Sequence, residues 1–343
     1  MLKKYSKSSS FYFSGKSSYF DNNKQLLSEE IERNDLYKAQ PERKFCKICN
    51  HPLELKHDFI SHGVKYKFCS ACTHLNGNQM ETKEFLNALY IGSSTGDYSK
   101  DYLDNNFIER TKNIYTPKVE FLLEVIGYAD FNLLDVGCGS GYFVHASGLL
   151  GVKARGIDVS KEMVDFGNAQ ISSMTNQRPL QYVGASDFYG EITTSDCLVV
   201  SAIGVIEHLE NPHDLLTAFV RSEAKYLFYS VPMFSTSVAL ENAFTNVYPR
   251  QLAGGHTHLF TETSIEKMHD IFNLQPVAQW RFGTDVMDLY RSLMITLTAN
   301  GASSQLIDKL DAGLGSVVNQ LQAVLDHNNF CSEIHCLVEK SAS

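Results

Sequence analysis

An apolar segment that runs directly into a glycine-rich turn constrains the fold of this chain most strongly. Residues 133–136 lead into a turn at 137–141 with the pattern G-x-G-x-G, and the next apolar segment ends at Asp158. Strand, glycine turn, helix and a strand that ends in an acid build one nucleotide-binding βαβ unit, in which the acid binds a ribose. Because Tyr142 stands where a dinucleotide fold has its third glycine, the turn favours a smaller, phosphate-free nucleoside.

This segment resembles the first motif of the class I S-adenosylmethionine-dependent methyltransferases. The resemblance implies that the glycine turn approaches the methionine half of the cofactor and that Asp158 binds both ribose hydroxyls. It places Asp187 and Phe188 at the adenine, and an aromatic residue before the core, Tyr102, over the cofactor. Helix capping for Asp187 and core packing for Tyr102 are the structural alternatives. The implied cofactor-binding residues are Asp135, Gly137, Cys138, Gly139, Gly141, Asp158, Val159, Asp187, Phe188, Ala202, Ile203 and Tyr102.

Alternating apolar and helical segments predict an α/β fold with a doubly wound, mostly parallel, Rossmann-like sheet. The seven predicted strands cover 131–136, 153–157, 180–183, 196–202, 226–231, 275–282 and 333–339. The resemblance implies that the last strand inserts antiparallel beside the sixth. The connection between these two strands is expanded over 285–328 and has helical spacing. Three roles are open for this insertion: a cap over the substrate site, a dimer interface, or an extension of the core.

The chain divides into four predicted parts. Residues 1–40 lack clear periodicity, which predicts a flexible tail with a short helix over 25–38. A zinc-binding module at 41–76 and a helical linker or cap at 77–126 follow. Residues 127–343 form the methyltransferase domain that the resemblance implies, and this domain includes the insertion.

Four of the eight cysteines form two close pairs, Cys46/Cys49 and Cys69/Cys72. The spacing C-x2-C-x19-C-x2-C predicts a structural Zn²⁺ site, because two short turns each present two thiolates and together close a tetrahedron. Nearby alternatives for one ligand are His51, His57, His62 and His74. The remaining cysteines are interpreted as small buried hydrophobic residues: Cys138, Cys197, Cys331 and Cys336.

A paired-cysteine module before a methyltransferase domain occurs in two families. One contains sugar C-methyltransferases and related enzymes of surface-polysaccharide and natural-product pathways, and the other contains ribosomal RNA guanine methyltransferases. The even cysteine pairs, the tyrosine-rich stretch 97–102 and the acidic core make this chain more similar to the first family. The resemblance implies a small, carbohydrate-linked or nucleotide-linked acceptor, with the acceptor atom left open among oxygen, nitrogen and carbon.

Charge and hydropathy limit the partners. The net charge is −9, and residues 76–343 carry 17 Lys and Arg against 31 Asp and Glu, so the catalytic region repels a polyanion. Two alternatives remain: an RNA methyltransferase that grips RNA with the zinc module, and a non-catalytic binding protein on the same fold. The chain has no apolar run of about 18 residues and its first residues have no apolar signal region, which predicts no membrane span and a cytoplasmic protein.

Three histidines are candidate catalytic residues: His208, His256 and His258. His208 lies in an Ile-Glu-His-Leu segment after the fourth strand, and this segment resembles one found in many small-molecule methyltransferases. His256 and His258 follow two glycines in the loop after the fifth strand. Methyl transfer from a sulfonium mainly requires alignment of the two partners, but a hydroxyl or acidic carbon also needs a base, and histidine suits that role near neutral pH.

Structural alternatives exist for each of these histidines. His208 can pack in the core, and His256 or His258 can satisfy the loop backbone. A metal site built on the last two would need a third ligand that the sequence does not show. Polar residues of the preceding loop that could bind substrate oxygens are Asn246, Tyr248 and Arg250.

Overall fold

The computed structural model describes residues 1–8, 22–90, 106–252 and 256–341. The strands in these ranges are β1 (Leu2–Tyr5), β2 (Phe59–Ser61), β3 (Val64–Phe68), β4 (Leu75–Gly77), β5 (Asn132–Val136), β6 (Lys153–Asp158), β7 (Leu180–Tyr182), β8 (Val199–Ile203), β9 (Tyr226–Pro232), β10 (His258–Leu259), β11 (Leu274–Phe282) and β12 (Glu333–Lys340). The helices are α1 (Asn23–Lys38), α2 (Lys83–Tyr90), α3 (Phe107–Arg110), α4 (Thr116–Ile126), α5 (Tyr142–Leu149), α6 (Lys161–Thr175), α7 (Phe188–Thr193), α8 (Pro212–Arg221), α9 (Thr236–Ala243), α10 (Glu262–Phe272), α11 (Asp285–Ala299), α12 (Ser304–Leu310) and α13 (Ser316–His327).

The large sheet has eight strands in the order β1-β11-β12-β9-β8-β5-β6-β7. All neighbours are parallel except β12, which pairs antiparallel with both β11 and β9. The chain proceeds outward from β5 through β6 to β7 and then returns to β8 on the other side of β5. Because the strand order reverses between β5 and β8, their carboxyl ends form the ligand crevice of this doubly wound sheet. The predicted fold class and the antiparallel last strand are confirmed.

The predicted count of seven strands is wrong, because β1 adds an eighth strand at the edge. Leu2 pairs with Ala278 in a parallel register with β11. The Trp280 indole donates a hydrogen bond to the carbonyl of Ser6 at 3.0 Å, and the Lys4 ammonium lies 4.7 Å from the Trp280 ring centroid. Strand β11 would otherwise present unpaired backbone groups at the sheet edge, and β1 satisfies them.

Helix α1 confirms the short helix predicted over 25–38. It buries polar side chains against distant loops. The Asn23 amide donates to the carbonyl of Asn246 at 2.9 Å and accepts from the amide of Tyr248 at 2.8 Å. The Tyr37 hydroxyl, 2% exposed, donates to the carbonyl of Gln79 at 2.6 Å. A helix that buries amides and a hydroxyl has no apolar stripe, which explains the missing periodicity.

The paired-cysteine module shares a sheet and a core with the rest of the molecule. Strands β2, β3 and β4 continue into β10, with His258 opposite Asn76 in an antiparallel register. Ile48 lies in one apolar cluster with Phe260 and Met268. The module is therefore packed against the α/β domain, although the sequence places a linker between them.

The insertion packs beside the carboxyl end of β9. The Ser237 hydroxyl oxygen lies 2.8 Å from a carboxylate oxygen of Asp285 and 2.8 Å from one of Asp288, and the Arg250 guanidinium donates to Asp288 at 2.8 Å. Arg250, predicted to bind substrate oxygens, is therefore engaged in a buried ion pair that holds α11. No helix within the described ranges is both long enough and apolar enough to cross a membrane.

Candidate cofactor and acceptor site

The glycine turn after β5 packs closely against neighbouring side chains. Gly137, Gly139 and Gly141 have φ values of 67°, 51° and 75°, a region that favours glycine. A Cβ atom on Gly137 would lie 2.7 Å from Val205, and one on Gly141 would lie 2.6 Å from Leu180. The turn thus needs glycine for both conformation and space.

Asp158 at the end of β6 is fixed by the same turn. Its Oδ2 atom accepts a hydrogen bond from the amide of Gly139, and its Oδ1 atom accepts one from the amide of Ser160, each at 2.7 Å. Burial raises the pKa of Asp158, although the backbone bonds oppose this shift. Each carboxylate oxygen keeps a further lone pair, so the group can accept from two adjacent hydroxyls.

Asp135 places a second buried acid at the end of β5. The hydroxyl of Ser201 donates to its Oδ1 atom at 2.6 Å. Burial raises the pKa of Asp135 to about 7, and the negative charge of Asp158 adds to the rise. A cation in this crevice would meet a carboxyl group that readily gives up its proton.

The predicted adenine side lies on neighbouring strand ends. Asp187 occupies the N-cap position of α7 without a capping side-chain bond and is exposed, whereas Phe188 is 7% exposed. Ala202 is fully buried, and Ile203 ends β8 half-buried. Tyr102 lies outside the described residues. The remaining turn residues pack inward: Cys138 is buried and Val159 is partly buried.

Three side chains that include two of the predicted catalytic histidines meet just beyond β8. One ligating atom from each of Glu207, His208 and His256 lies within 4.8 Å of the others. The rings of the two histidines stack with centroids 5.1 Å apart, and His208 Nε2 lies 3.9 Å from Glu207 Oε1. A Cβ atom on Gly204 would lie 3.8 Å from Glu207 Oε1, which places the carboxylate beside the end of β8.

His258 is built into the protein interior. It is 1% exposed, its Nε2 donates to the carbonyl of Glu207 at 2.7 Å, and its Nδ1 lies 2.9 Å from Nε2 of His74. Burial and the positive charge of Lys47 hold the pKa of His258 well below its usual value. Both ring nitrogens of His258, one of the predicted catalytic residues, are thus engaged by other groups of the fold.

The four paired cysteines converge on one point. The sulfur atoms of Cys46 and Cys72 are 3.6 Å apart, those of Cys49 and Cys69 are 3.5 Å apart, and all four lie within 4.8 Å of one another. A tetrahedral Zn²⁺ ion with Zn–S bonds of about 2.3 Å needs S–S separations of about 3.8 Å. The quartet fits a structural zinc ion. It does not include the alternative ligands His51, His57, His62 and His74.

The two cysteine turns have the same backbone geometry. The amide of Asn50 donates to the carbonyl of Cys46 at 3.0 Å, and the amide of Thr73 donates to that of Cys69 at 2.8 Å. Asn50 and Thr73 both have a φ of 57°. This repetition is what two knuckles that present paired thiolates require.

Basic residues of the module are engaged internally. Arg43 pairs with Glu81, and Lys47 Nζ lies 3.0 Å from the same carboxylate. Lys67 pairs with Glu42 at 3.2 Å. Three of the cations that could attract a polyanion are thus neutralised within the fold, and each of the three has a buried side chain.

Lys118 and Glu333 were not among the predicted site residues. Lys118 on α4 lies 3.7 Å from Glu333 on β12, and it interacts electrostatically with Asp135 and Glu207. Lys118 and its neighbour His335 hold the pKa of Glu333 well below its usual range. The two residues are far apart in the sequence, so their pairing could not be predicted from local patterns. The one sequence feature that could have indicated this pair is a lysine on an otherwise apolar helix face.

Comparisons with known proteins agree with this geometry. A family model described as a methyltransferase domain matches residues 107–279, half of the chain. The ubiquinone biosynthesis O-methyltransferase of Dechloromonas aromatica is 24% identical over 149 residues, which cover 43% of this chain and 59% of that protein. The protein of the same name from Pseudomonas savastanoi is 29% identical over 112 residues, covering 30% and 44%. The chain spans about half the length of these curated relatives.

Solved structures with a similar fold include an S-adenosylmethionine-dependent methyltransferase from Geobacter sulfurreducens in complex with S-adenosylhomocysteine. Its TM-score is 0.40 at 13% identity, over 69% of this chain and 99% of that chain. A phosphoethanolamine N-methyltransferase from Haemonchus contortus has a TM-score of 0.46 at 14% identity, over 78% of this chain and 62% of that chain.

Proposed function

The chain belongs to the methyltransferase domain family, and we propose that it transfers the methyl group of S-adenosylmethionine to a hydroxyl oxygen of a small molecule. The observation that carries this proposal is the contact between the glycine turn and Asp158, since a buried acid held by the Gly139 amide suits a ribose diol. S-adenosylmethionine supplies a methyl carbon activated by its sulfonium. The names of the curated relatives support oxygen as the acceptor atom.

The cofactor lies, in this proposal, along the carboxyl ends of β5 to β8. Asp158 binds the ribose, Asp187 and Phe188 bind the adenine, and the turn backbone approaches the methionine part. The carboxyl group of Asp135 faces the positive end of the cofactor and balances its charge, which the buried position of this acid supports. These residues hold the methyl donor and leave the chemistry to alignment with the acceptor.

The acceptor hydroxyl is placed next to His208 and His256. Their rings lie close to the Glu207 carboxylate, so the cluster offers both proton-accepting nitrogens and a negative charge where a hydroxyl must lose its proton. His258 keeps this cluster in place through its bond to the carbonyl of Glu207. Proton removal is thus assigned to the cluster as a unit.

The proposed acceptor is a sugar or a nucleotide-linked precursor of a surface polysaccharide or natural product. The module argues for this class over RNA, because Arg43, Lys47 and Lys67 form internal ion pairs. The zinc ion has a structural role, because four thiolates leave no open coordination position. The four cysteines outside the quartet form no disulfide within the described chain, which supports the cytoplasm as the compartment.

A second copy of the chain is proposed to pack against α13. This helix exposes Val317, Leu321 and Val324, a row at helical spacing that the rest of the described chain does not cover. The row lies in the insertion at 285–328, for which a dimer interface is one of the three roles that the sequence leaves open.

The function is tested by label transfer. The zinc-loaded protein is incubated with S-adenosylmethionine that carries a ¹³C methyl group, together with either the low-mass fraction or the RNA fraction of a cell extract. We expect a labelled low-mass product whose methyl carbon has the chemical shift of an O-methyl group. Label in RNA, or an N-methyl or C-methyl product, would overturn the proposed acceptor, and no labelled product in either fraction would overturn methyl transfer.

A further inference from the structure

Glu207 carries a buried oxygen atom without a partner. Glu207 is only 4% exposed, yet its Oε2 atom makes no hydrogen bond within the described structure. An unsatisfied buried carboxylate oxygen costs several kcal/mol if it stays charged and alone. The carboxylate lies in the same cluster as the ring nitrogens of His208 and His256, and one carboxylate oxygen and one nitrogen of each ring lie within 4.8 Å of one another.

The surroundings hold the His256 ring and the backbone of Glu207 as an outer ligand shell would. His256 Nδ1 lies 3.2 Å from the carbonyl of Gln251, and a ring that donates from Nδ1 has its lone pair on Nε2. The backbone of Glu207 is held by His258 at 2.7 Å, and His258 in turn contacts His74 at 2.9 Å. Metal-ligating histidines typically donate their second nitrogen to a carbonyl, and this fixes the ring orientation.

We propose that Glu207, His208 and His256 bind a divalent transition-metal ion whose open positions hold the acceptor hydroxyl. One carboxylate and two imidazoles suit a borderline ion such as Zn²⁺, Co²⁺ or Fe²⁺, and three protein ligands leave positions for substrate. This site differs from the cysteine quartet, in which the thiolates close the coordination sphere. The sequence shows no third ligand for a metal site built on two histidines. Glu207 supplies that ligand here, and His258 supports the site from outside through the backbone of Glu207.

The metal site itself does not depend on the proposed function, but its role in binding the acceptor hydroxyl rests on that function. With a cation bound, these side chains would serve as its ligands in place of the proton-accepting role given to them above. The cation would lower the pKa of the acceptor hydroxyl, which then releases its proton to solvent. The oxygen forms the new C–O bond while the C–S bond of the cofactor breaks, and that electron pair stays on sulfur. The cation is not consumed.

Calorimetric titration of the full, zinc-loaded chain with Co²⁺ tests the site directly. We expect one Co²⁺ per chain beyond the zinc, with visible absorption typical of nitrogen and oxygen ligands. His256→Ala and the nearly isosteric Glu207→Gln should each weaken Co²⁺ binding at least about tenfold. His327→Ala removes an exposed histidine on α13 and should leave Co²⁺ binding unchanged.

The outcomes separate this inference from the proposed function. If the wild-type chain binds no Co²⁺ beyond its zinc, or if Glu207→Gln binds Co²⁺ as tightly as wild type, the site is overturned. If methyl transfer proceeds in the presence of a chelator that leaves the zinc in place, the role in acceptor binding is overturned while the function stands. Co²⁺ binding in a chain that does not bind S-adenosylhomocysteine would support the site and contradict the function.

Discussion

Replacing Asp158 by asparagine probes the ribose contact and the glycine turn together. Both carboxylate oxygens accept backbone hydrogen bonds at 2.7 Å, from the amides of Gly139 and Ser160. An asparagine amide group has one oxygen and one NH2, so in either orientation the NH2 faces a backbone N–H. The variant therefore keeps the shape of the side chain but loses an acceptor on one side.

The magnitude follows from the bonds that are lost. Hydrogen bonds to a charged group contribute about 1.5–3 kcal/mol each, and the ribose loses one or two of them, or roughly 1.5–6 kcal/mol. Since about 1.4 kcal/mol corresponds to a tenfold change, the Kd for S-adenosylhomocysteine should rise by roughly 10 to 10⁴. The buried, unsatisfied N–H group should also lower the free energy of unfolding by about 1–3 kcal/mol.

Isothermal calorimetry with S-adenosylhomocysteine measures the affinity, and circular dichroism and urea unfolding check that the variant is folded at the temperature used. Asp165→Asn is the matched control, because it removes the same charge from an exposed site on α6. Its Kd should stay within about twofold of wild type, as expected for a screened surface charge. A folded Asp158→Asn variant with wild-type affinity would refute the assignment of Asp158 to the cofactor.

Four further predictions follow from the geometry. Gly141→Ala should lower the free energy of unfolding in urea by about 2–5 kcal/mol, because Gly141 has a positive φ and the Leu180 side chain lies close to it. Gly313→Ala is the control and should not lower the free energy of unfolding, because a Cβ atom there meets no atom within 4 Å; equal effects would contradict this prediction. Because Asp135 has a pKa of about 7 and the cofactor is cationic, its affinity should rise as the pH increases through 7, with proton release in calorimetry; a flat profile would contradict the role of Asp135. Removing zinc with a chelator should lower the melting temperature of the whole chain in one transition, since the cysteines share a core with the α/β domain; an unchanged α/β transition would argue against this. Leu321→Glu should halve the mass measured by light scattering if α13 forms the dimer, and a wild-type monomer would rule that dimer out.

The elements that sequence could predict are those with strong local signals. Strands β5 to β9, β11 and β12 follow apolar runs, and the structure places each within about three residues of its predicted bounds. The N-cap of α10 is also a local feature, since Thr261 and Ser264 are bonded reciprocally three residues apart. These features depend on residues that are close in the chain.

The features that sequence could not predict depend on distant partners. Strand β1 exists because β11 offers an open edge, and α1 buries polar groups whose partners lie more than 40 residues away. His256 and His258 are two residues apart and looked equivalent. Their environments differ, because His258 lies on β10 against the zinc module whereas His256 joins Glu207 and His208.

The central claim is that the β5 crevice binds S-adenosylmethionine, and direct titration of the full-length, zinc-loaded chain tests it best. Calorimetry with S-adenosylhomocysteine and, separately, with NAD⁺ compares a phosphate-free nucleoside with a dinucleotide at the same turn. We predict binding of one S-adenosylhomocysteine per chain and no binding of NAD⁺. A folded chain that binds NAD⁺, or that does not bind S-adenosylhomocysteine, would contradict the account.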